Sequence, residues 1–174
     1  MRKKLPIFTT AALLILVDQL TKLLTRTHIG LHEHVDFLPG ILDFTYVQNT
    51  GAAFSSFSSS TILLALLSLV MSVLMAVAIL RNWLRHPAGQ WILGIIMAGA
   101  LGNFIDRAFM GFVTDMIEVL FMDFAVFNFA DICVVLGSIA MAVYIIFFYD
   151  KLEGGSKKKV CPQEEHHVSA DSEG

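Results

Sequence analysis

Long stretches of this chain contain no charged side chain. Residues 61–80 form the clearest stretch, and residues 87–105 and 132–149 form two more. A helix needs about 20 mostly apolar residues to cross a bilayer. Hydrophobic residues make up 56% of the chain and charged residues 16%, whereas charged residues make up about a quarter of an average soluble domain. The chain is therefore predicted to be an integral membrane protein.

A fourth span is predicted at the N-terminus, although its apolar core is short. Residues 5–17 would form about 20 Å of helix, so a full span must continue through Asp18 and Lys22. A cleaved signal peptide is the alternative, but charged residues follow the apolar core and no Ala-x-Ala site is present. The expected membrane domain covers residues 1–152, with spans at about 5–25, 61–80, 87–107 and 129–149.

The positions of the basic residues predict the orientation of these spans. Nine of the 12 Lys and Arg residues lie before span one, between spans two and three, or after span four. Because cytoplasmic loops are enriched in Lys and Arg, both termini are expected to be cytoplasmic. The tail, residues 153–174, is rich in Gly, Ser, Lys and Glu and is expected to be disordered. No basic groove with interleaved aromatic residues indicates a nucleic-acid partner.

Polar side chains from three spans are expected at one depth, in the outer part of the bilayer. Asp18 lies about 20 Å and Asp106 about 22 Å above the inner edges of their spans, and Asp131 lies at the outer end of span four. Ionisable residues inside a membrane usually face the bundle interior and mark function. Further polar residues are expected in the same layer: Asn103, Arg107 and Asn128.

Each of these residues also has a structural interpretation. Asp18 and Lys22 are four residues apart and could pair at the membrane interface, and Asp131 could be the N-cap of span four. Arg107 could extend to the lipid headgroups, and Asn103 could bond one helix to another. A row of small residues on span three is expected to allow close packing rather than chemistry: Gly94, Ala98 and Gly102.

The chain lacks the usual motifs of metal-dependent and serine hydrolases. It contains neither His-Glu-x-x-His nor Gly-x-Ser-x-Gly, and the cluster HIGLHEH at residues 28–34 is expected to be a solvated loop. No metal and no cofactor are therefore predicted. Two neighbouring carboxylates can share a proton and hold a water between them. Asp115 and Asp131 are candidates for such a pair, although spacing alone does not favour Asp115 over three other acids: Asp106, Glu118 and Asp123.

Five short motifs, in order along residues 18–137, resemble those of the lipoprotein signal peptidases, the signal peptidase II family. They are DQLTK, QNTGAAF, GALGNFIDR, FVTDMIEV and FNFADICVVLG. The resemblance implies an aspartyl protease of the bacterial inner membrane. Such enzymes remove the signal peptide of prolipoproteins, cleaving just before the diacylglyceryl-modified cysteine. The two catalytic aspartates of the family match Asp115 and Asp131.

The resemblance also implies roles for other residues and a fold. Asp106 matches an acid with a structural role, and Met116 stands where many relatives carry Phe. The implied fold is an all-α polytopic membrane protein with four transmembrane helices, a small outer β-cradle and a short amphipathic outer helix. The implied partners are a lipid-modified prolipoprotein and membrane lipids, and a monomer is expected. Substrate-contacting or supporting positions match Asp18, Lys22, Asn49, Gly99, Asn103, Arg107 and Asn128.

Two other function classes compete with the peptidase hypothesis. A small proton-coupled transporter or channel could use the same acids as a relay, but a relay needs ionisable groups at several depths. The inner halves of spans two, three and four carry no charged residue, which disfavours transport. A scaffold without chemistry is disfavoured by the five ordered motifs.

Overall fold

The computed structural model describes residues 4–51 and 61–153 of the chain, and within them four helices are long and apolar enough to cross a membrane. These are Leu5–His28, Thr61–Arg81, Pro87–Met110 and Phe129–Phe148. Helices α1, α2 and α3 are the first three, and α4 covers Phe129–Val143. A π-helical stretch, Tyr144–Phe148, continues α4 into the short helix α5, Tyr149–Glu153. The prediction of a four-span membrane protein is confirmed.

Local sequence signals explain where α3 and α4 begin and end. His86 is the N-cap of α3, and its side chain accepts a hydrogen bond from the Ala88 N–H while Pro87 occupies the first turn. Helix α3 ends at Gly111, whose φ of 78° is a left-handed conformation that favours glycine. Asn128 is the N-cap of α4. Gly111 and Asn128 thus set the ends of α3 and α4 that flank residues 112–127.

Helix α3 lies at the centre of the bundle and packs against α1, α2 and α4. Small residues let the neighbours approach closely, because a Cβ added at Gly94 would lie 2.6 Å from the Ile7 side chain. A Cβ added at Gly102 would lie 2.5 Å from a carboxylate oxygen of Asp18. Ala98 is buried in the core with Met97. The structure therefore agrees with a close-packing role for the small residues of span three.

A three-stranded antiparallel sheet lies at one end of the helices, which we call the sheet end. Its order is β1, His34–Leu38, then β2, Leu42–Asn49, then β3, Val113–Val119. Residues on β2 and β3 pair across the sheet, for example Val47 with Asp115. In the sequence, Leu42, Phe44 and Tyr46 alternate with other residues in the way typical of a strand, and all three lie on β2. Within the described ranges no short helix lies at this end; residues 52–60, between β2 and α2, fall outside them.

At the opposite end of the bundle, Glu153, the last described residue, connects two parts of the chain. The Glu153 carboxylate accepts hydrogen bonds from the backbone N–H groups of Arg85 and His86, at 2.8 and 2.9 Å, and from the Tyr144 hydroxyl at 2.8 Å. These bonds connect α5 to the loop between α2 and α3. The remainder of the predicted tail, residues 154–174, lies outside the described residues.

Candidate active site

A cavity of about 430 Å³ opens where α3, α4, β2 and β3 meet at the sheet end. Most of its lining is apolar and comes from α4 and the segment before it, including Phe127 and Ile132. Its lining also includes Val135 and Leu136, which are 54% and 60% exposed on the outer surface of α4. The cavity therefore borders the lipid-facing surface of a membrane helix. Its polar lining residues are Asn49, Asn103, Arg107, Asp115 and Asp131.

Asp115 reaches this cavity from β3 and is only 2% exposed. Its Oδ2 accepts a hydrogen bond of 2.9 Å from the Asn49 amide, and its Oδ1 accepts one of 2.6 Å from the Asn128 amide. Burial, followed by the nearby Asp131 carboxylate, raises the pKa of Asp115 to about 6, against the lowering effect of the two amides. Asp115 is thus a carboxyl group that can be protonated near neutral pH.

Asp131 reaches the cavity from the first turn of α4. Its Oδ1 accepts a hydrogen bond of 2.7 Å from the Asn103 amide, and its Oδ2 accepts one of 3.1 Å from the Asn128 N–H. The Asn128 side chain accepts in return from the Asp131 N–H, which completes a capping box. The interpretation of Asp131 as the N-cap was wrong by three residues, because Asn128 takes that place. The capping box fixes the Asp131 carboxylate at the start of the helix.

Two asparagines connect the two acids. The Asn128 amide donates to Asp115 and, at 3.2 Å, to the Asn103 carbonyl oxygen, while Asn103 donates to Asp131. Asn128 is completely buried, so its position is fixed by these bonds. Sequence spacing did not decide which acid is the partner of Asp131. In the structure, Asp115 and Asp131 are connected through these two asparagines.

The other candidate acids have different surroundings. Asp106 is completely buried and accepts a hydrogen bond of 3.0 Å from the Thr114 N–H. Glu118 lies 2.8 Å from a ring nitrogen of His34, and Asp123 is exposed. None of these three lines the cavity. Among the described residues, no group of three His, Cys, Asp or Glu side chains is arranged to hold a metal ion.

A buried ionic cluster lies directly behind the cavity. Lys22, with no exposed surface, is 2.9 Å from Asp18 and 3.3 Å from Asp106, and donates to the Asn103 carbonyl oxygen at 2.9 Å. Asp18 also accepts a hydrogen bond of 2.9 Å from the Ala130 N–H in the first turn of α4. The predicted pairing of Asp18 with Lys22 is confirmed, but the pair is buried rather than interfacial. The cluster therefore links α1 to the elements that carry both acids.

Arg107 lines the cavity, and its guanidinium donates to the Gly51 carbonyl oxygen at 3.2 Å. Its Nε is buried and has no hydrogen-bond acceptor among the described residues. Gly99 does not line the cavity; a Cβ there would lie 2.4 Å from the Ala130 carbonyl oxygen. Gly99 is thus placed where α3 contacts the first turn of α4. Gly99 therefore supports the site by allowing α3 and α4 to pack closely beside it.

Sequence reasoning missed Gln19. Its amide donates to Asp18 at 3.1 Å, to Asp106 at 3.1 Å and to the Gly102 carbonyl oxygen at 3.2 Å. The available signal was a polar residue directly after Asp18 inside a predicted span, within the DQLTK motif. Gln19 thus provides a second donor for both acids of the ionic cluster.

Comparisons with known proteins agree with this architecture. A family model described as "Signal peptidase (SPase) II" matches residues 10–147. The chain belongs to the signal peptidase II family. It is 38% identical over 139 residues to a lipoprotein signal peptidase of Enterococcus faecalis, covering 80% of this chain and 86% of the relative. A lipoprotein signal peptidase of Trichormus variabilis is 42% identical over 142 residues, covering 81% of this chain and 90% of the relative.

Solved structures of bacterial membrane enzymes show the same fold as this family member. One has a TM-score of 0.75 at 26% identity and covers 93% of this chain and 94% of its own. A second has a TM-score of 0.74 at 25% identity, covering 85% of this chain and 95% of its own. The chain is thus a multi-pass membrane protein of the signal peptidase II family, which indicates a protease.

Proposed function

We propose that this protein removes the signal peptide from diacylglyceryl-modified prolipoproteins, cleaving before the lipidated cysteine. In this proposal Asp115 and Asp131 activate a water molecule, and no metal or cofactor takes part. The observation that carries the proposal is the pair of aspartates, joined by Asn103 and Asn128, in an apolar cavity at the end of a membrane helix bundle.

The two acids differ in a way that suits a proton-sharing mechanism. Both acids accept hydrogen bonds at both oxygens, Asp131 from Asn103 and the Asn128 N–H, and Asp115 from two asparagine amides. They differ in burial, because Asp115 is 2% exposed whereas Asp131 is only partly buried. Asp115 has a pKa raised to about 6, first by burial and then by the Asp131 charge. A substrate that fills the cavity excludes water and favours the neutral form of Asp115 further. We therefore assign Asp131 as the base and Asp115 as the acid.

The proposed reaction proceeds by proton transfers that balance. Asp131 takes a proton from water as the water oxygen attacks the scissile carbonyl carbon, and Asp115 gives its proton to the carbonyl oxygen. The resulting diol then breaks its C–N bond. Asp131 passes its proton to the leaving nitrogen, and Asp115 regains a proton from one diol oxygen as the new carboxyl group forms. Both acids return to their starting protonation states.

Two further residues can bind the substrate backbone. Arg107 lines the cavity and has a buried Nε without an acceptor among residues 4–51 and 61–153, so a substrate carbonyl oxygen could accept from it. Asn49 lines the cavity while it holds Asp115. Neither group must gain or lose a proton at neutral pH. Their proposed role is therefore positioning, on which rates depend strongly.

The surroundings of the cavity fit a substrate that stays anchored in lipid. Val135 and Leu136 belong both to the cavity lining and to the exposed surface of α4. A peptide with a lipid-modified cysteine could approach along this surface without leaving the hydrocarbon region. We propose that the enzyme acts as a monomer in the bacterial inner membrane. Its sheet end would face outward and both termini the cytoplasm, in line with the distribution of Lys and Arg.

The test is cleavage of a synthetic diacylglyceryl-modified prolipoprotein peptide by the purified protein. Mass spectrometry should show a product that begins with the lipidated cysteine, and the same peptide without lipid should not be cleaved. A chelator should leave the rate unchanged. Cleavage at another bond, or loss of activity with the chelator, would contradict the proposal.

A further inference from the structure

A second, wholly apolar depression lies beside the cavity, between α3 and α4. Its volume is about 340 Å³ and every residue that lines it is apolar. We call it the α3–α4 groove, lined by Ile92, Ile95, Cys133, Leu136, Gly137 and Ala140, with Phe129 and Ile132 at the sheet end.

The groove is continuous with the catalytic cavity. Ile132 and Leu136 line both spaces, and Asp131 directly precedes Ile132 in the chain. From Phe129 to Ala140 the groove follows about 16 Å of helix at 1.5 Å per residue. Since α4 runs away from the sheet end, the groove leads from the two acids toward the middle of the bundle. A molecule held at the acids could therefore extend an apolar chain into it.

Small residues of α4 create this space. Cys133, Gly137 and Ala140 follow one another at spacings of four and three residues, which places them on one side of the helix. Gly137 is packed tightly against Ile96, since an added Cβ would lie 2.6 Å from that side chain. Ala140 is exposed at the far end. The Ala140 side chain can therefore be enlarged without disturbing the contact between α3 and α4.

We infer that the α3–α4 groove holds one acyl chain of the diacylglyceryl group of the substrate during cleavage. This inference rests on the proposed function. The lipidated cysteine adjoins the scissile bond, so its chains must begin within a few bonds of Asp131. The groove starts at that point, contains no polar lining residue and descends along a membrane helix. An acyl chain can enter it from the bilayer without meeting water.

The polarity of the groove favours an acyl chain over the signal peptide as its occupant. A peptide bound in extended form brings backbone N–H and C=O groups that need hydrogen-bond partners when they are buried away from water. The lining of the groove is wholly apolar and offers no side-chain partner for them, whereas a hydrocarbon chain carries no such groups. The polar side chains of the catalytic cavity, such as Asn49 and Arg107, remain available for the peptide.

Ala140→Phe tests the inference by filling the far end of the groove. Two lipopeptides with the same peptide are compared in mixed micelles, one with dipalmitoyl and one with dibutanoyl glycerol. Ala140→Phe should lower kcat/KM for the dipalmitoyl substrate by about tenfold, because the displaced chain misplaces the scissile bond. It should change kcat/KM for the dibutanoyl substrate by less than about twofold, since Ala140 lies about 14 Å along α4 from Asp131 and the four-carbon chain ends before it.

Ile139→Phe is the matched control. Ile139 lies next to Ala140 but is 55% exposed and does not line the groove, so cleavage of both substrates should stay as in wild type. Ala140→Leu gives a milder filling if the Phe variant shows a lowered Tm. Equal losses for both substrates, or equal behaviour of the variants at 139 and 140, would overturn the inference. Absence of cleavage by the wild-type protein would instead overturn the proposed function itself.

Discussion

Replacing Lys22 with Met should destabilise the fold severely, because Lys22 is the cation in a buried cluster with two carboxylates. Its ammonium lies 2.9 Å from Asp18 and 3.3 Å from Asp106, and none of the three side chains is more than 2% exposed. Removing one partner of a buried ion pair costs about 3–5 kcal/mol, since the remaining charge is left without compensation. Here two carboxylates would remain, so the upper part of that range is expected. Thermal or denaturant unfolding in detergent measures the loss.

A compensated variant and a control separate this effect from general damage. Lys22→Met combined with Asp18→Asn removes one positive and one negative charge, and should recover about half of the lost stability. Arg26→Met removes a partly buried cation that donates to the Thr114 hydroxyl at 2.9 Å, for which a loss of about 1 kcal/mol is expected. If Lys22→Met costs no more than Arg26→Met, the ionic cluster does not hold α1 as argued.

Three further predictions concern pH, packing and the far end of the bundle. Because its pKa is raised to about 6 by burial and by the Asp131 charge, Asp115 destabilises the folded protein as pH rises from about 4 through 6. Asp115→Asn should therefore be up to about 3 kcal/mol more stable than wild type above pH 6 and gain little near pH 4. A difference in unfolding free energy between the two proteins that stays the same from about pH 4 to pH 7 would contradict this. Gly99→Leu should abolish cleavage and lower the Tm, since even a Cβ would lie 2.4 Å from the Ala130 carbonyl oxygen, whereas an unchanged Tm would show that the helices do not pack this closely. Glu153→Ala should cost about 1 kcal/mol by removing three hydrogen bonds while kcat/KM stays unchanged; a loss of activity without a loss of stability would contradict a purely structural role.

The membrane spans were predictable because the bilayer imposes a length and a composition on each helix. Depth along the helices also brought Asp18, Asp106 and Asn103 into one layer, since 1.5 Å per residue applies to every span. The structure confirms that Asp18 and Asp106 share Lys22 and that Asn103 contacts the same ammonium. Periodicity and depth are local properties, and both can be read from a single chain.

Long-range contacts could not be predicted in this way. Asp115 comes from a strand, and its position beside Asp131 depends on the pairing of β3 with β2 and on the capping box of α4. Spacing therefore left Asp106, Glu118 and Asp123 as equal candidates, and only the resemblance of the motifs favoured Asp115. Strand β1 and the π-helical stretch were not predicted, because neither has a distinct pattern of its own.

The most direct test of the central claim is single-turnover cleavage of the lipidated peptide by Asp115→Asn, Asp131→Asn and Asn49→Ala. Each Asn substitution keeps the size of the side chain and removes one proton-transfer group, so both should reduce cleavage to near background while the protein remains folded. Asn49→Ala removes a positioning contact to Asp115 and should keep measurable activity, well above the two Asp variants. Turnover near the wild-type rate in either Asp variant would contradict a mechanism in which this pair of aspartates activates the water.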